Sequence, residues 1–235
     1  MIKYNWCIDA GNSSIKWGIF KDNELLDVFQ FRENPSAQQV KEIEEKYPPY
    51  KVGVGSVKGQ MIWLNLPDVF LLSGGSISPF VVDYAEPSEM GVDRLAAAMG
   101  ARSKFPHDAA ILVVDLGTCI TYTAVNDRCI SGLAISPGLQ MRWNAMNHFT
   151  AQLPLMDHQK SISEKGTQMN LYVGGRVGWQ KELEGMIDLF CEGDHVDRVI
   201  ITGSDVVHLE KHFKERFVIV DHLNLWGLNY WLNEG

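Results

Sequence analysis

Twice along this chain a run of apolar residues ends at Asp-x-Gly, crosses a short polar corner and resumes as a strand of alternating character. The first copy is Cys7-Ile8-Asp9-Ala10-Gly11-Asn12-Ser13-Ser14-Ile15-Lys16-Trp17-Gly18-Ile19-Phe20, and the second is Val113-Val114-Asp115-Leu116-Gly117-Thr118-Cys119-Ile120-Thr121-Tyr122-Thr123-Ala124-Val125. Each predicts a β-hairpin with a tight glycine corner, followed by a polar turn, Lys21-Asp22-Asn23-Glu24 or Asn126-Asp127-Arg128. The copies lie nearly half the chain apart, which predicts an internal duplication. One Asp-x-Gly alone is a common turn; two with matched flanks imply more. Glycine lets the backbone approach a ligand, successive N–H groups form an anion nest, and the strand-end aspartate can hold a hydrated cation against phosphates. Two phosphate loops facing each other across a cleft are therefore expected.

Between and beyond these hairpins the apolar spacing alternates between strand and helix. Ser36 with Gln39 reads as a helix cap, Val40, Ile43 and Tyr47 share one helical face, and Pro48-Pro49 stops it. Strands are expected over residues 51–57, 69–72 and 81–84, the last two separated by Ser73-Gly74-Gly75-Ser76. Residues 95–99, Leu-Ala-Ala-Ala-Met, are strong helix formers, so Asp93 sits at or near a helix N-terminus. There it is either an N-cap or a general base beside an anion-friendly helix end, with Arg94 offering a forked donor to a carboxylate. Pro106 ends the first half, giving expected domains of 1–110 and 111–235. In the second half, a strand over 130–135 leads to a helix opened by Ser136-Pro137-Gly138. Residues 152–165 read as a loop, and Thr167 as the cap of a long helix whose face carries Met169, Val173, Val177, Leu183, Ile187 and Phe190. Gly174 and Gly178 on that helix suit close packing, either inside the monomer or against another helix. A buried-type strand then ends at the Gly203 corner, a helix and a strand over 217–220 follow, and Trp226 to Leu232 closes the chain with helical spacing suited to core or subunit contact.

Composition narrows the function classes. Hydrophobic residues make up 46% of the 235 and charged ones 21%, as in an ordinary globular protein, and no apolar run nears the roughly 18 residues of a membrane span. With no signal peptide in view, a cytoplasmic location is expected. A net charge of −8 weighs against nucleic acid or an anionic membrane as partner. Cys7, Cys119, Cys129 and Cys191 are scattered, as reduced thiols would be. Gly53-x-Gly55 fails as a dinucleotide fingerprint because Lys58 stands where the third glycine belongs, and GxxxxGK[ST] is absent. His208 and His212 have i, i+4 spacing without the glutamate of a zinc-protease helix, and the other five histidines read as surface or capping residues.

Together these residues resemble the type III pantothenate kinases of the sugar-kinase and actin-like ATPase superfamily. The likeness runs nearly end to end. Asp9-Ala10-Gly11-Asn12-Ser13-Ser14-Ile15-Lys16 matches the family's DxGNT loop, Gly91-Val92-Asp93-Arg94 its GxDR, Asp115 to Thr121 its DxGTxxT, and Ile135-Ser136-Pro137-Gly138 its IxPG. The resemblance implies an α/β fold of two duplicated ribonuclease-H-like domains, mixed sheets flanked by helices with a cleft between them. It implies that residues Asp9, Ala10, Gly11, Asn12, Ser13, Ser14, Ile15, Lys16 and Thr118 contact ATP. It implies that Tyr84, Gly91, Val92, Asp93, Arg94 and Thr167 contact pantothenate, that Asp93 takes the proton from the substrate hydroxyl, and that Asp115 binds a monovalent cation, K⁺ or NH₄⁺. The implied reaction makes 4′-phosphopantothenate in the first step of coenzyme A biosynthesis, with ATP and Mg²⁺, in a homodimer. Ser13 replaces the usual Thr, Ser131 stands where a Gly often begins the IxPG segment, and Ser204 replaces the second Gly of the family's TGG. Two other classes fit the same corners: an actin-like ATPase, for which 235 residues leave little room for partner insertions, and a non-catalytic ligand-binding regulator, which should lack a base such as Asp93.

Overall fold

The two apolar runs become the middle strands of two sheets. The computed structural model describes residues 3–56, 66, 68–73, 80–156, 165–193 and 195–234, and the structural statements here concern these. Lys58, residues 74–76 of the serine–glycine turn and residues 157–164 of the expected loop lie outside them. The first sheet holds β1 (Tyr4–Ala10), β2 (Ile15–Lys21), β3 (Glu24–Phe31), β4 (Pro49–Ser56) and β5 (Val69–Leu71), in the order β3-β2-β1-β4-β5. The first three strands form an antiparallel meander, and β4 and β5 run parallel to β1. After β6 (Val81–Asp83), the second half repeats the pattern with β7 (Ala110–Leu116), β8 (Cys119–Asn126), β9 (Cys129–Pro137), β10 (Arg198–Thr202) and β11 (Val218–Ile219). Its order is β11-β10-β7-β8-β9-β6, with the same polarities and with β6 added beside β9. Duplication therefore extends from the corners to whole sheets. Strand β3 escapes the sequence pattern because Asp27 and Gln30 interrupt its apolar positions and none of its residues is fully buried.

The helices cover four sheet faces. Helix α1 (Ala37–Lys46) starts at the expected capping box, Ser36 with Gln39, and packs Ile43 with Trp6, Ile8, Trp17 and Ile19 on the outer face of the first sheet. Between the sheets lie α2 (Val92–Lys104) and α7 (Leu223–Glu234), whose Leu95, Met99, Leu225 and Leu228 meet Cys7 and Phe20 from one sheet and Ile111, Val113 and Ile200 from the other. Beyond the second sheet, α3 (Leu139–His148), α4 (Thr167–Tyr172), α5 (Gly178–Gly193) and α6 (Lys211–Arg216) pack Trp143, Leu171, Trp179, Leu183 and Phe213 on Leu112, Val114 and Tyr122. Burial on both faces is why the β1 and β7 runs are continuously apolar.

Three local expectations are corrected. Pro137 ends β9, and Gly138 caps α3, so the proline stands before the helix rather than in its first turn. Gly166 caps α4 and Thr167 is its first residue. A π-helical stretch, Val173–Val177, joins α4 to α5 and turns the buried face to Leu171, Gly175, Trp179 and Leu183, leaving Val173 and Val177 exposed. Gly174 consequently faces open space, and the close helix contact is made elsewhere. A Cβ on Gly100 of α2 would lie 2.2 Å from the Leu223 carbonyl oxygen, and one on Gly227 of α7 would lie 1.7 Å from that of Ala96. The two central helices thus touch backbone to backbone.

Candidate active site

Both glycine corners open toward one cleft. Asp9 faces Lys16 across the first hairpin, where the Gly11 N–H donates to the Ser14 carbonyl at 3.1 Å. Asp115 lies between Thr121 and Thr202 in the second sheet, and the Gly117 N–H donates to the Cys119 carbonyl at 3.1 Å. The corners meet: the hydroxyls of Ser13 and Thr118 are 2.8 Å apart. Ala10 and Ile15 bury their side chains in the core, so Asp9, Asn12, Ser13, Ser14 and Lys16 are the side chains of that stretch left for a ligand.

Asp93 is the second residue of α2, and Gly91 is the N-cap, so the capping alternative for Asp93 falls away. Its Oδ1 accepts from the Arg94 N–H at 2.9 Å, and a Cβ on Gly91 would come within 2.5 Å of that oxygen. Burial pushes the Asp9 carboxyl up to about 6, Lys16 and Asn224 pull it down, and the Asp93 charge raises it. Burial pushes Asp115 up to about 7, with the charges of Asp93 and Asp9 adding to the rise and Lys16 and Asn224 opposing it. Three carboxylates therefore share one weakly screened space in which Lys16 is the cation that opposes both Asp9 and Asp115, a surplus of negative charge that a further cation would relieve. No three His, Cys, Asp or Glu side chains among the described residues converge as a metal cage. Hard oxygen donors of this kind fit Mg²⁺ that brings phosphate and water oxygens as its remaining ligands.

On the other side of Asp93, Arg94 is 4% exposed. Its Nε donates to Thr123 Oγ1 at 3.1 Å, Nη1 to the Tyr84 hydroxyl at 3.0 Å and Nη2 to the Tyr122 carbonyl at 2.6 Å. All these acceptors are neutral, and Arg94 has no acidic ion-pair partner among the described residues. The Tyr84 hydroxyl lies over Gly132, where a Cβ would come within 2.3 Å, so Gly132 gives the tyrosine its place. The structure brings Tyr84, Gly91, Asp93 and Arg94 together; Val92 packs toward the core, and Thr167 is exposed with no described hydrogen bond to the others.

The cleft behind Asp9 and Asp115 encloses about 500 Å³, walled by Lys16, Thr202, Gly203, Ser204, His222 and Asn224 among others. Gly203 has φ +103°, and a Cβ there would lie 2.5 Å from Asp115 Oδ1. His222, expected as a surface or capping residue, stands just before α7, where its carbonyl accepts from the Leu225 N–H at 2.9 Å, and also belongs to this wall; burial and the Lys16 charge lower its pKa, and its Nδ1 is buried with no partner among the described residues. Asn224 donates to Asp9 Oδ2 at 3.2 Å. No sequence motif marks His222 or Asn224; the only signal was their position at the start of the closing helix, His222 just before α7 and Asn224 its second residue. His208 lies in a 3-10 turn and His212 in α6, so their spacing does not put them on one helix face.

Two duplicated mixed sheets around a central helix pair, with a cleft between two glycine corners, form an α/β fold of two ribonuclease-H-like domains. In fold the chain is similar to a Campylobacter jejuni protein ascribed to the Baf family of transcriptional activators, with TM-score 0.58 and 20% identity, covering 97% of this chain and 98% of that one. It is also similar to the polyphosphate/ATP-glucomannokinase of an Arthrobacter strain, with TM-score 0.51 and 14% identity, covering 99% and 100%. Residues 58–189 match the family model for type III pantothenate kinase. The type III pantothenate kinase of Cytophaga hutchinsonii is 34% identical over 97% of this chain and 98% of its own length, and that of a Bacteroides fragilis strain 32% over 97% of each. The chain belongs to the type III pantothenate kinase family.

Proposed function

We propose that this protein transfers the γ-phosphoryl group of ATP to the primary hydroxyl of pantothenate, giving 4′-phosphopantothenate and ADP in the first step of coenzyme A biosynthesis. The observation that carries this reading is the place of Asp93, between the paired phosphate corners and the Arg94–Tyr84 cluster. Residues Asp9 to Lys16 and Thr118 hold the nucleotide phosphates. Tyr84, Gly91 to Arg94 and Thr167 hold pantothenate, whose carboxylate suits a buried arginine that has only neutral partners. The substrate hydroxyl gives its proton to Asp93 as its oxygen bonds to the γ-phosphorus, and the bond from that phosphorus to the β-bridging oxygen breaks to release ADP. Such transition states are loose, so positioning and charge neutralisation do most of the work. Magnesium bound beside Asp9 would supply neutralisation of phosphate charge. Asp115 is the ligand of a monovalent cation, K⁺ or NH₄⁺, its buried charge being what such an ion offsets.

Residues 1–110 and 111–235 act as the two lobes of the cleft, strapped together by β6 and α7, each of which packs with the opposite half. The protein works as a homodimer in the cytoplasm, without nucleic acid or membrane; among the described residues no helix is long and apolar enough to cross a membrane. Exposed Phe149, Val173, Val177 and Leu189 on the outer helical layer favour a partner copy. Light scattering at the 26.5 kDa monomer mass would end that part of the proposal. Incubation with ATP, Mg²⁺, K⁺ and pantothenate should release ADP only when pantothenate is present, and more slowly when Na⁺ replaces K⁺. Equal ADP release with and without pantothenate would reject the kinase reading.

A further inference from the structure

Asn224 is the second residue of α7, as Asp93 is of α2. The two helices hold matching places in the duplication: each comes after the outermost parallel strand of its repeat, β5 or β11, with β6 inserted ahead of α2 to join the other sheet, and both lie in the central layer. Asp93 and Asn224 thus meet the same pair of hairpin carboxylates from equivalent helix starts. Asn224 Nδ2 donates to Asp9 Oδ2 at 3.2 Å, and the same amide lies close enough to Asp115 to stabilise its charge. Ionised carboxylates only accept hydrogen bonds, so the NH₂ end of the amide has to face them. Its Oδ1 is then left buried in the cleft wall with no partner among the described residues. A buried acceptor in that state is unfavourable until something donates to it.

We infer that Asn224 is a positioning residue for phosphoryl transfer: its NH₂ group fixes Asp9 and Asp115 relative to each other, and its carbonyl oxygen accepts from a water of the magnesium that accompanies the donor nucleotide. The inference rests on the kinase reading above. It makes the duplicated helix start do two different jobs, proton acceptance at Asp93 and carboxylate alignment at Asn224.

The test uses the full chain with Asn224→Leu, of similar size but with neither donor nor acceptor, and Asn224→Asp, which sets a fourth carboxylate beside Asp9, Asp93 and Asp115. Misalignment on the ångström scale typically costs up to about 100-fold, so Asn224→Leu should lower kcat about 10- to 100-fold while the pantothenate KM stays within about twofold. Asn224→Asp should fall at least as far. Apart from turnover, the rise in Tm that millimolar Mg²⁺ and ADP together give the wild type should vanish in both variants. Leu232→Ala, at the far end of α7 against Gly53, should lower Tm and leave kcat and KM near wild type. An equal kcat loss in Leu232→Ala would reduce Asn224 to a helix-seating residue and overturn the inference. So would a normal kcat with a normal Mg²⁺–ADP shift in Asn224→Leu, or no such shift in the wild type. If the leucine variant does not fold, Asn224→Ser is judged by the same two readouts. If the wild type makes no pantothenate-dependent ADP, the kinase reading fails by itself, and the thermal shift still decides on Asn224: its loss in the variants supports the inference and its survival overturns it.

Discussion

The two halves share five strands in the same order, yet they spend their extra residues differently. From β3 to β4 the first half uses the single helix α1, whereas from β9 to β10 the second uses α3, α4, the π stretch and α5. Their central helices differ as well, since α2 begins with a carboxylate at Asp93 and α7 with an amide at Asn224. Repeating a glycine corner supplies two phosphate cradles at little cost in new sequence. Transfer between two different molecules cannot be symmetric, so the residues that break the repeat are where the chemistry is expected. Asp93 and Asn224 break it at one spot.

The sharpest break of the comparison is Asp93→Asn, which makes the two helix starts alike. Gly91 caps α2, so the change leaves the helix intact while removing the base, and general-base catalysis is worth about 10²–10⁴-fold. Turnover should fall on that scale with Tm little changed; turnover near that of the wild type would remove Asp93 from the reaction.

The helix pair itself is tested next. Gly100→Ala and Gly227→Ala each push a methyl into the opposite helix's backbone, and overpacking of this kind typically costs about 1–3 kcal/mol, here at the upper end or beyond. Both should lower Tm by several degrees in thermal melts, Gly227→Ala the more because its contact is shorter. Gly174→Ala, at a site facing open space, should not lower it.

A smaller effect comes from the shared charge. Asp9 at about 6 and Asp115 at about 7 both sit above the usual carboxylate value of about 4, so between about pH 4 and 7 the folded protein binds more protons than the unfolded chain. Stability of the ligand-free protein should therefore fall as pH rises from 5 to 8, and Asp115→Asn should flatten that dependence. A Tm that rises over this range in the wild type would mean that the two carboxylates are not buried together. Smallest is Ser36→Ala, which removes the capping box of α1 in the plainer half: about 1 kcal/mol of stability and no change in turnover, read by urea melts and the ADP assay.

Much of this molecule was legible along the chain. Both hairpins, the capping box at Ser36, the strand into Gly203 and the closing helix follow from local periodicity and turn chemistry, which act over a few residues. The Asp-x-Gly repeat also foretold the duplication, and four ordered motifs foretold the family. The strand β3 was hidden by its half-exposed face, and Val173 and Val177 fall off the buried face of the long helix, which keeps Leu183 and Ile187, because nothing in the local spacing announces a π stretch. Gly100 and Gly227 became the close-contact glycines only when α2 and α7 crossed. The gathering of Asp9, Asp93 and Asp115, the enclosure of Arg94 by neutral acceptors and the arrival of His222 and Asn224 in the cleft belong to tertiary structure alone. Sequence fixes which groups are present and how each short segment folds; burial, mutual repulsion and unpaired acceptors depend on distances between segments far apart in the chain, and only packing of the two sheets around the α2–α7 pair sets those.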